Sequence, residues 1–170
     1  MAVEAHKREA PDSVKCMVIT ISDTRTEETD KSGQIMLEYL EEEQHDVVDY
    51  RIVTDDFDKV TGALKDGFSH PDVDVILTNG GTGIAARDIT IEAVQSQIEK
   101  EIPGFGELFR MLSYTEDIGS AALLSRAVAG TKGHTAVFST PGSSGAVRLA
   151  MEKLILPEMT HVARELNKDK

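Results

Sequence analysis

One cysteine, no tryptophan and 5% aromatic residues leave this chain short of several common devices. Lone Cys16 excludes an intramolecular disulfide, and within one chain it excludes a cysteine metal cluster. A reducing cytoplasm is the expected compartment. No apolar run is long enough to cross a membrane. The first thirteen residues, Met1 to Ser13, are polar and carry no apolar signal segment. Basic charge is also scarce: 18 Lys and Arg stand against 30 Asp and Glu, a formal net charge of −12. A broad nucleic-acid or anionic-membrane surface requires a basic face, so neither partner is expected. The familiar phosphate motifs G-x-G-x-x-G and G-x-x-x-x-G-K-[ST] are absent, as is the G-x-S-x-G elbow of serine hydrolases. The five histidines show no metal-ligand spacing, and His134 is expected to be structural.

What remains is an ordinary globular composition in 170 residues, enough for one domain. Such a chain buries roughly 70% of its unfolded surface, so its core needs no staples. No repeat, low-complexity tract or linker divides it. Residues 1–13 are expected as a flexible tail and residues 14–170 as a single domain. Val14 to Ile21 is a near-continuous apolar run, the pattern of a strand covered on both faces. Helix 32–44, strand 46–54 and a helix carrying Phe57, Val60, Leu64 and Phe68 follow. Strand 73–78 comes next, then helices over 90–98, 103–114 and 118–128. Gly130 and Gly133 mark a turn. Strand 135–139 precedes helix 146–155 and a last helix opening at Pro157. This alternation predicts an α/β fold, a three-layer α/β/α sandwich with a mainly parallel sheet. Antiparallel edge strands remain open, above all between residues 99 and 133.

Two loops carry the candidate chemistry. Gly80, Gly81, Thr82 and Gly83 follow directly on the buried run Val73 to Thr78. Open α/β sheets bind ligands at that carboxyl edge. Glycines there permit positive φ and close approach, and consecutive N–H groups form a nest for an anion. The plainer reading is a tight turn. Thr140 to Gly145 repeats the context of strand, small residues and helix start. Pro141, Gly142 and Ser143 would meet a phosphate there, or Ser143 and Ser144 would merely cap a helix. Asp23, Asp55 and Asp88 follow strands or loops at the same edge. They either cap helices, Asp55 or Asp56 being a candidate N-cap, or bind Mg²⁺ that bridges carboxylate and phosphate. Arg87 would neutralise a phosphate or be solvated.

Thr78-Asn79-Gly80-Gly81-Thr82-Gly83-Ile84-Ala85-Ala86-Arg87-Asp88-Ile89-Thr90 resembles the T-T-G-G-T-G-x-x-x-R-D-x-T signature of the molybdenum cofactor biosynthesis MoaB/MogA family, which includes the gephyrin G domain. Ile21 to Arg25, Glu101 to Glu107, Leu124 to Arg126 and Pro141 to Ser143 resemble further family segments in the right order. Asp23-Thr24-Arg25 followed by Thr29 to Gly33 is similar to the MoaB branch. Asn79 departs from the usual Thr, and Ser143-Ser144 departs in the late loop. The resemblance implies Mg²⁺- and ATP-dependent adenylylation of molybdopterin, releasing pyrophosphate. It implies a trimer, or a hexamer of two trimers, and contact with other molybdenum cofactor biosynthesis proteins. Asp55 and Asp88 match family aspartates that serve the reaction, with Mg²⁺ between them and the nucleotide. Gly80 to Gly83 match the substrate loop, and Ser22, Asp23, Gly142 and Ser143 line the same pocket. A binding protein of this fold without ATP turnover is the alternative implication.

Overall fold

The structure, a computed structural model, describes residues 2–170; Met1 of the expected tail lies outside them. Six strands form one sheet in the order β2-β1-β3-β6-β5-β4. These are β1 (Lys15–Ile21), β2 (Asp46–Val53), β3 (Val75–Asn79), β4 (Lys100–Glu101), β5 (Val128–Lys132) and β6 (Thr135–Thr140). β2, β1, β3 and β6 run parallel, while β5 and β4 are antiparallel additions at one edge. The three-layer sandwich expected from the alternation is therefore present.

Strand side chains alternate between faces, and the central strands are apolar on both. Cys16, Val18, Val75, Leu77 and Phe138 pack on one face with α2 (Lys31–Glu42), α5 (Pro103–Glu116), α6 (Ser144–Ala150) and α7 (Leu156–Asn167). Met17, Ile19, Ile76 and Val137 pack on the other with α3 (Phe57–Ser69) and α4 (Thr90–Gln97). β1 leads through α2 to β2 on one side of it, and the chain then returns to β3 on the other side. That reversal opens a crevice at the carboxyl ends of β1 and β3, where ligands bind in such sheets.

Three expectations need correction. Residues 2–8, expected within a flexible tail, form helix α1 (Ala2–Arg8), which buries none of its residues and leans on α7. The expected helix over 118–128 is a 3-10 helix (Gly119–Leu124), followed by an extended segment that enters β5. Gly119 at φ 59° breaks the α-helix that the Ala and Leu content suggested. Gly130 lies inside β5, where a Cβ would stand 2.7 Å from the Lys100 carbonyl oxygen; Gly133, at φ 58°, makes the turn. Pro157 stands in the first turn of the last helix, as expected. Met151–Ile155 forms a π-helical turn joining α6 to α7. This widening falls one turn before Pro157, which offers no N–H and whose ring crowds the preceding turn.

Candidate functional site

The carboxyl edge of β1, β3 and β6 gathers both small-residue loops. After β3, Gly80 and Gly81 adopt φ 94° and 66°. A Cβ on Gly80 would stand 2.2 Å from the Ile21 carbonyl oxygen, at the end of β1. Gly80 N–H donates to the Thr140 carbonyl at 3.1 Å, and a Cβ on Gly142 would lie 3.1 Å from Gly80 Cα. The two loops touch, and only glycines allow it. They line a cleft of about 320 Å³ with Asp88, Ala121, Leu124, Ser125, Arg126 and Pro141.

The glycine loop is clamped through its carbonyls. Thr90 Oγ1 donates to the Gly80 carbonyl at 2.9 Å, and Thr90 N–H donates to the Gly81 carbonyl at 3.0 Å. Arg126 Nε lies 3.1 Å from the carbonyls of both Thr82 and Gly83, and Arg126 Nη2 donates to Gly83 at 2.7 Å. Glu92 holds the far side of the guanidinium at 2.5 Å. In a trans peptide the N–H points opposite to its C=O. Four consecutive anchored carbonyls therefore turn the N–H groups of Gly81, Thr82, Gly83 and Ile84 away from Thr90 and Arg126. Those of Gly81, Thr82 and Gly83 meet no protein acceptor among the described residues, which leaves them available to an anion.

Carboxylates bracket this loop. Asp56, not Asp55, caps α3, accepting from Lys59 N–H at 3.0 Å. Asp55 is left facing the loop: a Cβ on Gly81 would come within 3.0 Å of its Oδ1. Asp23 Oδ1 accepts from Asp55 N–H at 2.9 Å. Burial pushes the Asp55 carboxyl above its ordinary value; Asp23 and Asp88 push the same way, and Arg87 opposes them. Asp88 caps no helix. Its Oδ2 accepts from Ala85 N–H at 3.0 Å and would lie 2.5 Å from a Cβ on Gly83. Arg87 is exposed and acts on the site through its charge.

The remaining predicted residues shape backbone. Ser22 Oγ accepts from the N–H groups of Thr24 and Arg25, each at 3.2 Å. Ser143 Oγ accepts from Ala146 N–H at 3.2 Å, so it caps α6. Pro141 and Gly142 line the cleft, whereas Ser22, Asp23 and Ser143 are not among its lining residues. A buried network missed in the sequence secures the second loop. Arg25 Nη2 and Ser32 Oγ both donate to the Gly142 carbonyl, at 3.1 and 2.5 Å. Fully buried Asp30 accepts from Gly33 N–H at 3.0 Å and Tyr50 Oη at 2.6 Å, and pairs with Arg25 at 3.4 Å. Burial, with Asp30 beside it, pushes the Tyr50 phenol up, so it stays a donor.

The carboxylate set suits Mg²⁺ by chemistry, since it is all oxygen. The three aspartates do not gather into a preformed cage: their ligand oxygens are not all within 4.8 Å of one another. Mg²⁺ usually keeps several waters and takes one or two carboxylates plus substrate phosphates. Asp55 and Asp88, on either side of the glycine loop, fit that mode.

Fold and site together define an α/β domain with a glycine loop and flanking carboxylates at its sheet switch point. A family model described as the probable molybdopterin binding domain matches residues 17–161. Molybdenum cofactor biosynthesis protein B of Bacillus subtilis (strain 168) is 62% identical over 170 residues, with 100% of both chains covered. A crystal structure of a molybdenum cofactor biosynthesis protein B superposes with a TM-score of 0.91 at 62% identity, covering 94% of this chain and 99% of that one. The tungsten cofactor synthesizing protein MoaB from Pyrococcus furiosus gives a TM-score of 0.81 at 41% identity, covering 92% and 99%. The chain belongs to the molybdenum cofactor biosynthesis MoaB/MogA family.

Proposed function

We propose that the cleft binds molybdopterin by its terminal phosphate and that the chain adenylylates it with Mg-ATP. The observation that carries this reading is the bracketing of one glycine nest by Asp55 and Asp88. A phosphate monoester dianion suits the N–H groups of Gly81, Thr82 and Gly83. In this reading a molybdopterin phosphate oxygen attacks the α-phosphorus of ATP. A new P–O–P bridge forms, the bond from the α-phosphorus to the bridging oxygen of the β-phosphate breaks, and pyrophosphate leaves. Such transfer needs mainly positioning and charge neutralisation. A Mg²⁺ ion, when bound, supplies neutralisation of the triphosphate. Asp55 and Asp88 would hold it and orient the nucleotide, and the Gly142 loop would close the cleft over the phosphates. No covalent enzyme intermediate is needed.

Exposed Leu108, Met111, Tyr114, Ile118, Leu123 and Leu124 follow one another along α5 and the 3-10 helix. They support assembly as a trimer or a hexamer of two trimers, with contacts to other cofactor-biosynthesis proteins at the remaining surface.

Incubating the purified chain with molybdopterin, ATP and Mg²⁺ tests the reaction, with mass spectrometry as the readout. Adenylyl-molybdopterin and pyrophosphate are expected in equal amounts. Pterin binding by titration with no adenylylated product would leave a binding protein and overturn the catalytic reading.

A further inference from the structure

We propose that His6, His161 and Glu165 form a transition-metal site, of the kind that takes Zn²⁺, which staples α1 to α7. It lies away from the cleft. α6 begins at the carboxyl edge of the sheet, and α7 continues that helical run toward the opposite edge, where Glu9, Ser13, Asp74 and Arg164 line one surface hollow.

His161 and Glu165 are four residues apart on α7, so they share a face one turn apart. His6 reaches the same point from α1. Each of the three offers one ligand atom, and all three atoms lie within 4.8 Å of one another. Among the described residues no other group of three His, Cys, Asp or Glu side chains meets that standard. Two imidazoles and one carboxylate with an open position form a donor set that zinc and its neighbours accept.

A second observation concerns orientation. His161 Nδ1 lies 3.0 Å from Glu158 Oε2. With Nδ1–H donating to that carboxylate, Nε2 carries the lone pair. A carboxylate behind a ligating imidazole fixes the ring's tautomer and direction in metal sites. Glu158 itself is tied back to α1 by Lys7 Nζ at 2.5 Å. Glu165 already pairs with Lys168 at 2.7 Å and Arg164 at 2.8 Å. It is therefore ionised, and its Oε1, which lies 3.6 Å from His6 Nδ1, is the oxygen that Arg164 holds, so the metal competes with Arg164 there. α1 has no buried residue and meets α7 through the ion pairs of His6 and Lys7 and the contact of the His6 and His161 rings. A metal shared between the two helices would give it a fixed seat.

The test is calorimetric titration of Zn²⁺ into tag-free, chelator-treated full-length protein, with hydrogen exchange read in parallel. One Zn²⁺ per chain and slowed exchange at the α1 amides are expected. His6→Ala, His161→Ala and Glu165→Gln should each weaken binding at least tenfold with unchanged circular dichroism. Glu158→Gln should weaken it about tenfold, the usual effect of losing such a supporting carboxylate. Absent zinc binding, or zinc binding that survives His6→Ala or His161→Ala at wild-type strength, overturns the proposal.

Discussion

Asp55 and Asp56 are neighbours with different work. Asp56 caps α3, and this leaves the Asp55 carboxyl against Gly81. Either residue suits a cap by type, so the sequence leaves the choice open. The fold makes it, because Asp23 holds Asp55 N–H from across the sheet edge. Asp55 carries an environmental cost, since burial and two nearby aspartates raise its pKa. A carboxyl whose pKa is raised on folding opposes the folded state as pH climbs through its folded value. Asp55→Asn should therefore raise Tm at pH 7 slightly while product formation falls, as scanning calorimetry and the adenylylation assay would read. The acid limb of the wild-type rate should lie above the ordinary carboxylate value of about 4 and be absent from whatever activity Asp55→Asn retains. Gly80 has the reverse character. With φ 94° and the Ile21 carbonyl at 2.2 Å from a new Cβ, Gly80→Ala should cost at least about 2 kcal/mol. Chemical denaturation would show it.

At the scale of elements, the four parallel strands and the helices between them are legible because their apolar periods are unbroken. β4 and β5 are not: β4 has two residues, and β5 reads Val-Ala-Gly-Thr-Lys, with a glycine at its centre. The loop's supports are equally hidden. Arg126 reaches the Thr82 and Gly83 carbonyls across more than forty residues, and no local pattern announces a side chain that serves a distant backbone. The site's glycines and aspartates could be named from their position after strands; the clamp that orients their N–H groups needs the tertiary structure. Removing it by Arg126→Ala should cost about 2 kcal/mol of stability through lost charged hydrogen bonds. It should also weaken molybdopterin binding more than ATP binding, as separate titrations would show. Gly62 in α3 makes a contrast. Nothing stands within 4 Å of a Cβ there, so Gly62→Ala should stabilise by about 0.5–1 kcal/mol and leave binding unchanged.

For the whole molecule, the net charge of −12 and the proposed binding of anionic substrates are compatible because the glycine loop offers backbone N–H groups. Local N–H groups and a divalent ion can hold a phosphate inside an acidic protein. The same surface concentrates its exposed apolar side chains on α5 and the 3-10 helix. Light scattering should return three or six times the chain mass of 18.5 kDa. Met111→Glu with Leu123→Glu should shift it toward one chain without loss of helical signal. The central claim is that the glycine nest serves a reaction and that Asp88 belongs to its chemistry. The most direct measurement is a single-turnover comparison of wild type with Asp88→Asn, at saturating molybdopterin and Mg-ATP, alongside calorimetric binding of molybdopterin. The account predicts that Asp88→Asn binds molybdopterin within a few-fold of wild type yet forms adenylyl-molybdopterin at least about 100-fold more slowly. Equal rates in the two proteins would contradict it.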